Sequence, residues 1–134
     1  MTSKAKEPNW LALTQVRMLH AESLRYFGGL TGVRDEGLLE SALDRPRNKF
    51  AFGNTTNLFE LAAAYGFGIA RNHAFIDGNK RTALLSIRAF LFRNHYGFAP
   101  EETETVTMIE GLAAGSIGED ILAKWIQENS SPLS

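Results

Sequence analysis

Residues 58–96 read LFELAAAYGFGIARNHAFIDGNKRTALLSIRAFLFRNHY, and this stretch decides the fold. Leu58, Leu61, Ala62, Tyr65, Gly68 and Ile69 recur at the spacing of one helical face. The small residues Ala62, Ala63, Ala64, Gly66 and Gly68 share that segment, and a mid-helix glycine costs about 1 kcal/mol against alanine. Such a segment is useful only where another helix packs very close to it. Residues 79–96 are the longest helical candidate. Ala83, Leu84, Leu85, Ile87, Ala89, Phe90, Leu91 and Phe92 leave it little polar surface, and Gly97 supplies a stop. A helix apolar on most sides is expected to be a buried central element.

Working outward, Val16, Leu19, Ser23 and Phe27 place a first helix over 14–27, stopped by Gly28 and Gly29. Asp35 is a plausible N-cap for a second, carrying Leu38, Leu39, Ala42 and Leu43, which Pro46 should end. Two further helices are expected over about 101–114 and 118–129. No period-two strand of useful length appears. The expected fold class is therefore all-α, a compact bundle of about six helices. Residues 1–134 should form a single domain, with 1–8 and 130–134 as flexible tails.

The composition agrees. The chain has 134 residues, 44% of them hydrophobic and 22% charged, as an ordinary globular protein does. Its lack of cysteine excludes a disulfide framework, a Cys-ligated zinc site and a thiol nucleophile. Neither a signal peptide nor a membrane span is visible, so a cytoplasmic location without membrane contact is the expectation. A formal net charge of −1 gives no support to a nucleic-acid-coating surface. That near-neutrality conceals an asymmetry. Residues 1–99 carry 13 Lys plus Arg against 8 Asp plus Glu, and residues 100–134 carry one Lys against seven acids.

The junction from Arg71 to Thr82 is odd as mere structure. Lys80 and Arg81 fall in the first turn of the long helix, where the macrodipole already presents about half a positive charge. Two cations there are disfavoured by roughly 0.3–1 kcal/mol each unless something negative sits opposite. Free backbone N–H groups after the flexible Gly78 make the same place an anion site. A phosphate resolves the conflict, and so does a neighbouring carboxylate. His73 is the residue type suited to accept a proton near neutral pH, and Asp77 is a hard oxygen ligand of the sort that holds Mg²⁺ beside phosphates. Phe75, between them, should point into the core. These residue types suggest phosphoryl or nucleotidyl transfer to a hydroxyl. The bland reading is a cap, a helix end and two solvated cations.

His73-Ala-Phe-Ile-Asp-Gly-Asn-Lys-Arg81 resembles the death-on-curing (Doc) form of the Fic motif, HxFx(D/N)(A/G)NKR. Gly28 to Pro46 and Leu61 to Asn72 are also similar to blocks of that family, so the resemblance covers about Thr14 to Glu128. It implies a Fic-type helical fold whose central helix follows the active loop. It also implies transfer from ATP, with Mg²⁺, to a Thr or Ser hydroxyl of a protein. On that resemblance His73 is the general base, Phe75 the loop anchor and Asp77 the Mg²⁺ ligand. Gly78, Asn79, Lys80 and Arg81 hold the phosphates, Lys80 counting also as catalytic. Ordinary Fic enzymes have the pattern HPFxxGNGR and typically transfer AMP. Here Lys80 replaces their second glycine and Leu84 stands where many have a further arginine, and the Doc branch is associated with γ-phosphate transfer to a translation factor of the elongation factor Tu type. The family also implies a toxin held in check by an antitoxin with a disordered inhibitory helix. An AMP transferase and a non-catalytic Fic-fold binding module are the alternatives.

Other residues carry milder expectations. His20 should be a satisfied, half-buried histidine, on the face of Val16 and Leu24. His95 sits in the last turn of the long helix with no function assigned. Phe50, Phe52 and Phe59 are expected in the core, or less readily in a partner groove. The charged corners at Arg34-Asp35-Glu36 and Arg45-Pro46-Arg47 read as caps and solvated charges. No His, Asp or Glu trio shows metal-ligand spacing.

Overall fold

The computed structural model describes residues 6–53 and 55–134. Its elements run α1 (Leu13–Phe27), α2 (Glu36–Gly53), α3 (Leu58–Asn72), α4 (Asn79–Arg93), β1 (Tyr96–Phe98), α5 (Glu102–Ala114), α6 (Glu119–Glu128) and β2 (Ser130–Pro132). The all-α expectation therefore holds, with a two-stranded ribbon added.

Local signals account for most boundaries. Gln15 accepts the Ala12 N–H at 2.7 Å to start α1, and Gly28 ends it at φ 76°. Asp35 caps α2 through the Leu38 N–H at 3.0 Å. The Asn57 side chain accepts from the Phe59 and Glu60 amides at the head of α3, satisfying two of its orphan donors. Gly115 stops α5 at φ 86°, in the left-handed region that favours glycine.

Pro46 does not end α2. The helix runs on through it to Gly53, and Pro46 is buried. Proline removes one helical N–H and crowds the carbonyl four residues earlier. That carbonyl belongs to Ala42, which lies against Gly68 of α3 so closely that a Cβ on Gly68 would sit 3.2 Å from the Ala42 oxygen and 3.1 Å from its Cα. Packing of α2 on α3 outweighs the local penalty. The same contact explains why the small residues lie on α3.

Burial is deepest in α3, where Leu61 through Gly66, Gly68, Ile69 and Ala70 are all buried. It packs on α2, α4, α5 and α6. α4 lies along it and buries Thr82, Ala83, Ser86, Ile87, Phe90 and Leu91, while Phe92 is 67% exposed. α4 ends at Arg93 with Asn94 as its C-cap, short of Gly97, which falls in β1. The Asn94 amide donates to the Phe90 carbonyl and to the Asn9 carbonyl, tying the N-terminal segment to α4. His95 lies beyond the helix at φ 71°.

The expected C-terminal tail is in part a strand. β2 pairs antiparallel with β1 in the register Tyr96↔Pro132, Gly97↔Ser131, Phe98↔Ser130, and the Leu133 N–H donates to the His95 carbonyl. Residues 1–5 of the other expected tail lie outside the described residues. Among the three phenylalanines placed in the core, Phe50 and Phe59 pack against it, but Phe52 is 83% exposed near the end of α2. Among the described residues, no helix is long and apolar enough to cross a membrane.

Candidate active site

The loop joining α3 to α4 is fixed by a near-complete set of backbone partners. α3 ends at His73, whose φ of 50° and ψ of 46° are left-handed. A histidine held there costs on the order of 1 kcal/mol and needs a surrounding structure to hold it. Arg34 provides part of that: its Nε donates to the His73 carbonyl at 2.9 Å and its Nη2 to the Asn72 carbonyl at 3.2 Å. Those are orphan carbonyls at the negative end of α3, where a cation is favoured. Thus Arg34 is a cap, but for a helix distant in sequence.

The next residues pair with the segment after α1. The Ala74 carbonyl accepts from the Arg34 and Asp35 amides, and the Ile76 N–H donates to the Gly32 carbonyl at 3.1 Å. An antiparallel bridge of Val33 and Phe75 lies between them. Phe75 is 1% exposed and anchors the loop in the core as expected. Asn79 clamps it from the other side: its Oδ1 accepts the Phe75 N–H at 3.0 Å, and its Nδ2 donates to the Phe75 carbonyl at 2.9 Å. Asn79, assigned to phosphate on resemblance, thus has a structural use in this geometry.

Asp77 is half-buried. Its Oδ2 accepts the Leu30 N–H at 3.2 Å and its Oδ1 accepts the Gly78 N–H at 2.9 Å. The Leu30 amide first, then that of Gly78, hold its carboxyl below the usual carboxylate value, with a smaller contribution from Arg81. It stays ionised, and each oxygen retains a lone pair for a further partner. A single hard carboxylate of this kind suits Mg²⁺ that takes its other ligands from phosphate and water. Among the described residues, no group of three His, Asp or Glu forms a self-sufficient metal cage.

Gly78 is the N-cap of α4 at φ 78°, with no side-chain cap, and no acidic residue lies in the first turn. The first amides of α4 are therefore free of the cap that Asn57 gives α3. The two cations of this turn are engaged within the chain. Lys80 Nζ meets the Glu110 carboxylate of α5 at 2.8 Å, both side chains being about half exposed. Arg81 Nη2 donates to the Gly28 carbonyl at 3.0 Å, with the guanidinium 5.3 Å from the Phe27 ring. It reaches from the positive end of α4 to the negative end of α1, where its charge is favoured. A carboxylate opposite Lys80 is the alternative that the sequence left open.

His73 is exposed at the end of α3, on the loop that leads to this uncapped turn. Beside the loop, a cleft of about 620 Å³ opens between α1 and residues 29–33, with Arg17, His20, Arg25, Gly32 and Phe75 in its walls. A second cleft of about 440 Å³ lies across α2, α3 and α6, where Glu119 holds Arg45 at 2.5 Å and Lys49 at 2.6 Å. Its charges are spent on joining α2 to α6.

The structure therefore brings together His73, Phe75, Asp77, Gly78, Asn79, Lys80 and Arg81 on one loop and helix start. Sequence reasoning missed Arg34, Leu30 and Glu110 as their partners, and it put His20 aside as a satisfied histidine. His20 is 6% exposed and has its partner on this very loop. Its position one turn from Val16 was a signal, since a buried histidine needs a hydrogen-bond partner.

Comparison with known proteins points the same way. A model of the Fic/DOC family matches residues 10–91, from just before α1 to near the end of α4. Over 105 residues the chain is 37% identical to a protein named "Protein kinase doc" from Escherichia phage P1, covering 78% of this chain and 82% of that protein. Over 69 residues it is 45% identical to a "Toxin Doc" of Mycolicibacterium smegmatis, covering 51% of this chain and 53% of that protein. The chain belongs to the Fic/DOC family.

Proposed function

We propose that this chain is a Doc-type toxin of a toxin–antitoxin module. It transfers the γ-phosphate of ATP to a Thr or Ser hydroxyl of a translation factor, with His73 as general base. The observation that carries this reading is an exposed His73 on the same loop as an uncapped, left-handed Gly78 turn and an ionised Asp77. The names of its relatives, a protein kinase and a toxin, support it.

In this reading the His73 imidazole takes the proton from the target hydroxyl as its oxygen bonds to the γ-phosphorus. The bond from that phosphorus to the bridging oxygen breaks, and ADP leaves with the displaced electron pair. The free amides of α4 and the Lys80 ammonium hold phosphate oxygens. Asp77 would hold Mg²⁺, which neutralises charge on the phosphates when bound. The antitoxin's inhibitory helix has an apolar surface available between α1 and α4, where Met18 and Phe92 are each 67% exposed. A cleft of about 270 Å³ lies there, with Leu11, Leu19 and Ala89 in its walls.

Labelled ATP and a whole-cell extract test the reaction. The γ-labelled nucleotide should mark a protein acceptor, and the α-labelled nucleotide should not. Label arriving from the α-phosphate makes the chain an AMP transferase instead. His73→Ala should lower transfer by about 10²-fold or more. Undiminished transfer in that variant removes His73 from the role of base.

A further inference from the structure

We infer that His20 is a positioning residue for the proposed phosphotransfer, acting on the peptide that joins Asp77 to Gly78. The proposal rests on the functional reading above but is argued from the loop itself. His20 lies on α1, 57 positions before Asp77, with its Nε2 2.8 Å from the Asp77 carbonyl oxygen. A carbonyl only accepts, so Nε2 carries the proton and donates it. The imidazole also stacks on Phe75, with ring centroids 3.8 Å apart and planes 10° from parallel. One buried side chain thus touches the loop at both its anchor and its turn.

The consequence follows from peptide geometry. In a trans peptide the carbonyl and the N–H point in opposite directions. Holding the Asp77 carbonyl toward α1 therefore directs the Gly78 N–H to the other side. There it donates to Asp77 Oδ1 at 2.9 Å. The Asp77 carboxylate takes its second bond from the Leu30 N–H. His20 thereby sets the orientation of the carboxylate without touching it. It also fixes the peptide entering Gly78, whose left-handed φ of 78° starts α4.

Glycine turns are able to reverse such a peptide at low cost, because Gly populates both signs of φ. A reversed peptide would present the Asp77 carbonyl oxygen where the Gly78 N–H now points. It would place one more negative dipole beside the carboxylate and the α4 amides. The other groups of the loop are held by Arg34, Asn79 and Gly32, and none of these bonds the Asp77 carbonyl. His20 is the lock at that one place.

Two variants separate the hydrogen bond from the stack. His20→Phe keeps an aromatic ring on Phe75 and loses the donor. His20→Gln loses the ring and offers an amide N–H near the position of Nε2. With γ-labelled ATP, His20→Phe should lower kcat about 10-fold, the worth of one well-placed hydrogen bond, with KM for the protein acceptor unchanged. His20→Gln should recover to within about threefold of wild type. Should His20→Phe fail to fold, His20→Asn, whose amide falls short of the carbonyl, takes its place in the comparison.

Amide hydrogen exchange reads the same lock without any reaction. In His20→Phe the amides of residues 78–81 should exchange about 10-fold faster, while those of α3 and α5 keep their rates. If wild-type protein transfers no phosphate, the functional reading fails and the exchange result alone decides on His20. Wild-type turnover and wild-type exchange in His20→Phe overturn the proposal. So does a His20→Gln variant as impaired as His20→Phe in both measurements, since restoring a donor would then restore nothing.

Discussion

Removing the Asn79 clamp should destabilise the domain far more than its exposure suggests. Asn79 is only half-buried, yet its side chain meets both the N–H and the carbonyl of Phe75, a residue 1% exposed. Each bond contributes about 0.5–1 kcal/mol net, and leaving buried backbone groups without partners adds about 1–2 kcal/mol. Asn79→Ala should therefore cost about 2–4 kcal/mol. Asn79→Asp keeps the acceptor for the Phe75 N–H and adds a negative charge at the start of α4, worth about 0.3–1 kcal/mol. It opposes the Phe75 carbonyl, however, so a net loss of about 1–2 kcal/mol is expected. Urea unfolding measures both. With a slope of about 2 kcal/mol/M the midpoint should fall by about 1–2 M in Asn79→Ala, and by half that or less in Asn79→Asp, with the slope unchanged. A midpoint within about 0.3 M of wild type for Asn79→Ala refutes the clamp, as does equal damage from the two variants.

Two further outcomes follow from the charges of the site. The Asp77 carboxyl ionises at lower pH folded than unfolded, so between its lowered value and the ordinary one near about 3.9 the unfolded chain binds more protons and stability rises with pH. That contribution is present in full above the ordinary value and is lost as pH falls through the folded one. Asp77→Asn should flatten this part of the acid limb, and an unchanged acid slope in unfolding midpoints would contradict it. Glu110→Gln removes the exposed carboxylate 2.8 Å from Lys80, a pair worth about 0–1 kcal/mol, so stability should scarcely change. ATP should then bind about 2–5-fold tighter by calorimetry at low salt, and unchanged or weaker binding would mean that Lys80 does not meet the phosphates.

What was legible in the sequence was what is local. The α3–α4 pair, the glycine stop at Gly28 and the Asp35 cap each depend on residues within one or two turns. The candidate site residues could be proposed for the same reason, because His73 through Arg81 form one contiguous run. Most misreadings turn on distant partners. Pro46 reads as a terminator until Gly68 of α3 is placed against Ala42. Ser130 to Pro132 reads as a polar tail until β1 supplies its ladder. α4 reads as the buried central helix from its run of leucines and phenylalanines, although α3 is the more apolar of the two. Yet α3 takes that position, because its alanines and glycines admit neighbours on several sides. His20 reads correctly as a satisfied histidine and Arg34 as a cap or solvated charge, but the partner of neither is legible. Their bonds to residues 77 and 73 cross 57 and 39 positions of chain, and no spacing rule encodes those.

The two cations at the start of α4 sharpen the point. On sequence they are an unexplained excess of positive charge, and a phosphate is one way to resolve it. In the fold, each has a partner of different strength. Arg81 bridges to the Gly28 carbonyl at the tail of α1 and lies over Phe27, so its charge is favoured by a second helix and is spent on structure. Lys80 faces a lone carboxylate from α5, both ends in solvent, in a pair worth at most about 1 kcal/mol. A polyphosphate bound as proposed would carry several charges and would reach the uncapped amides as well, so it would compete with one glutamate. Of the two, Lys80 is the cation that the fold leaves free to change partners, and Arg81 is the one that keeps α1 and the Gly78 turn in place while it does.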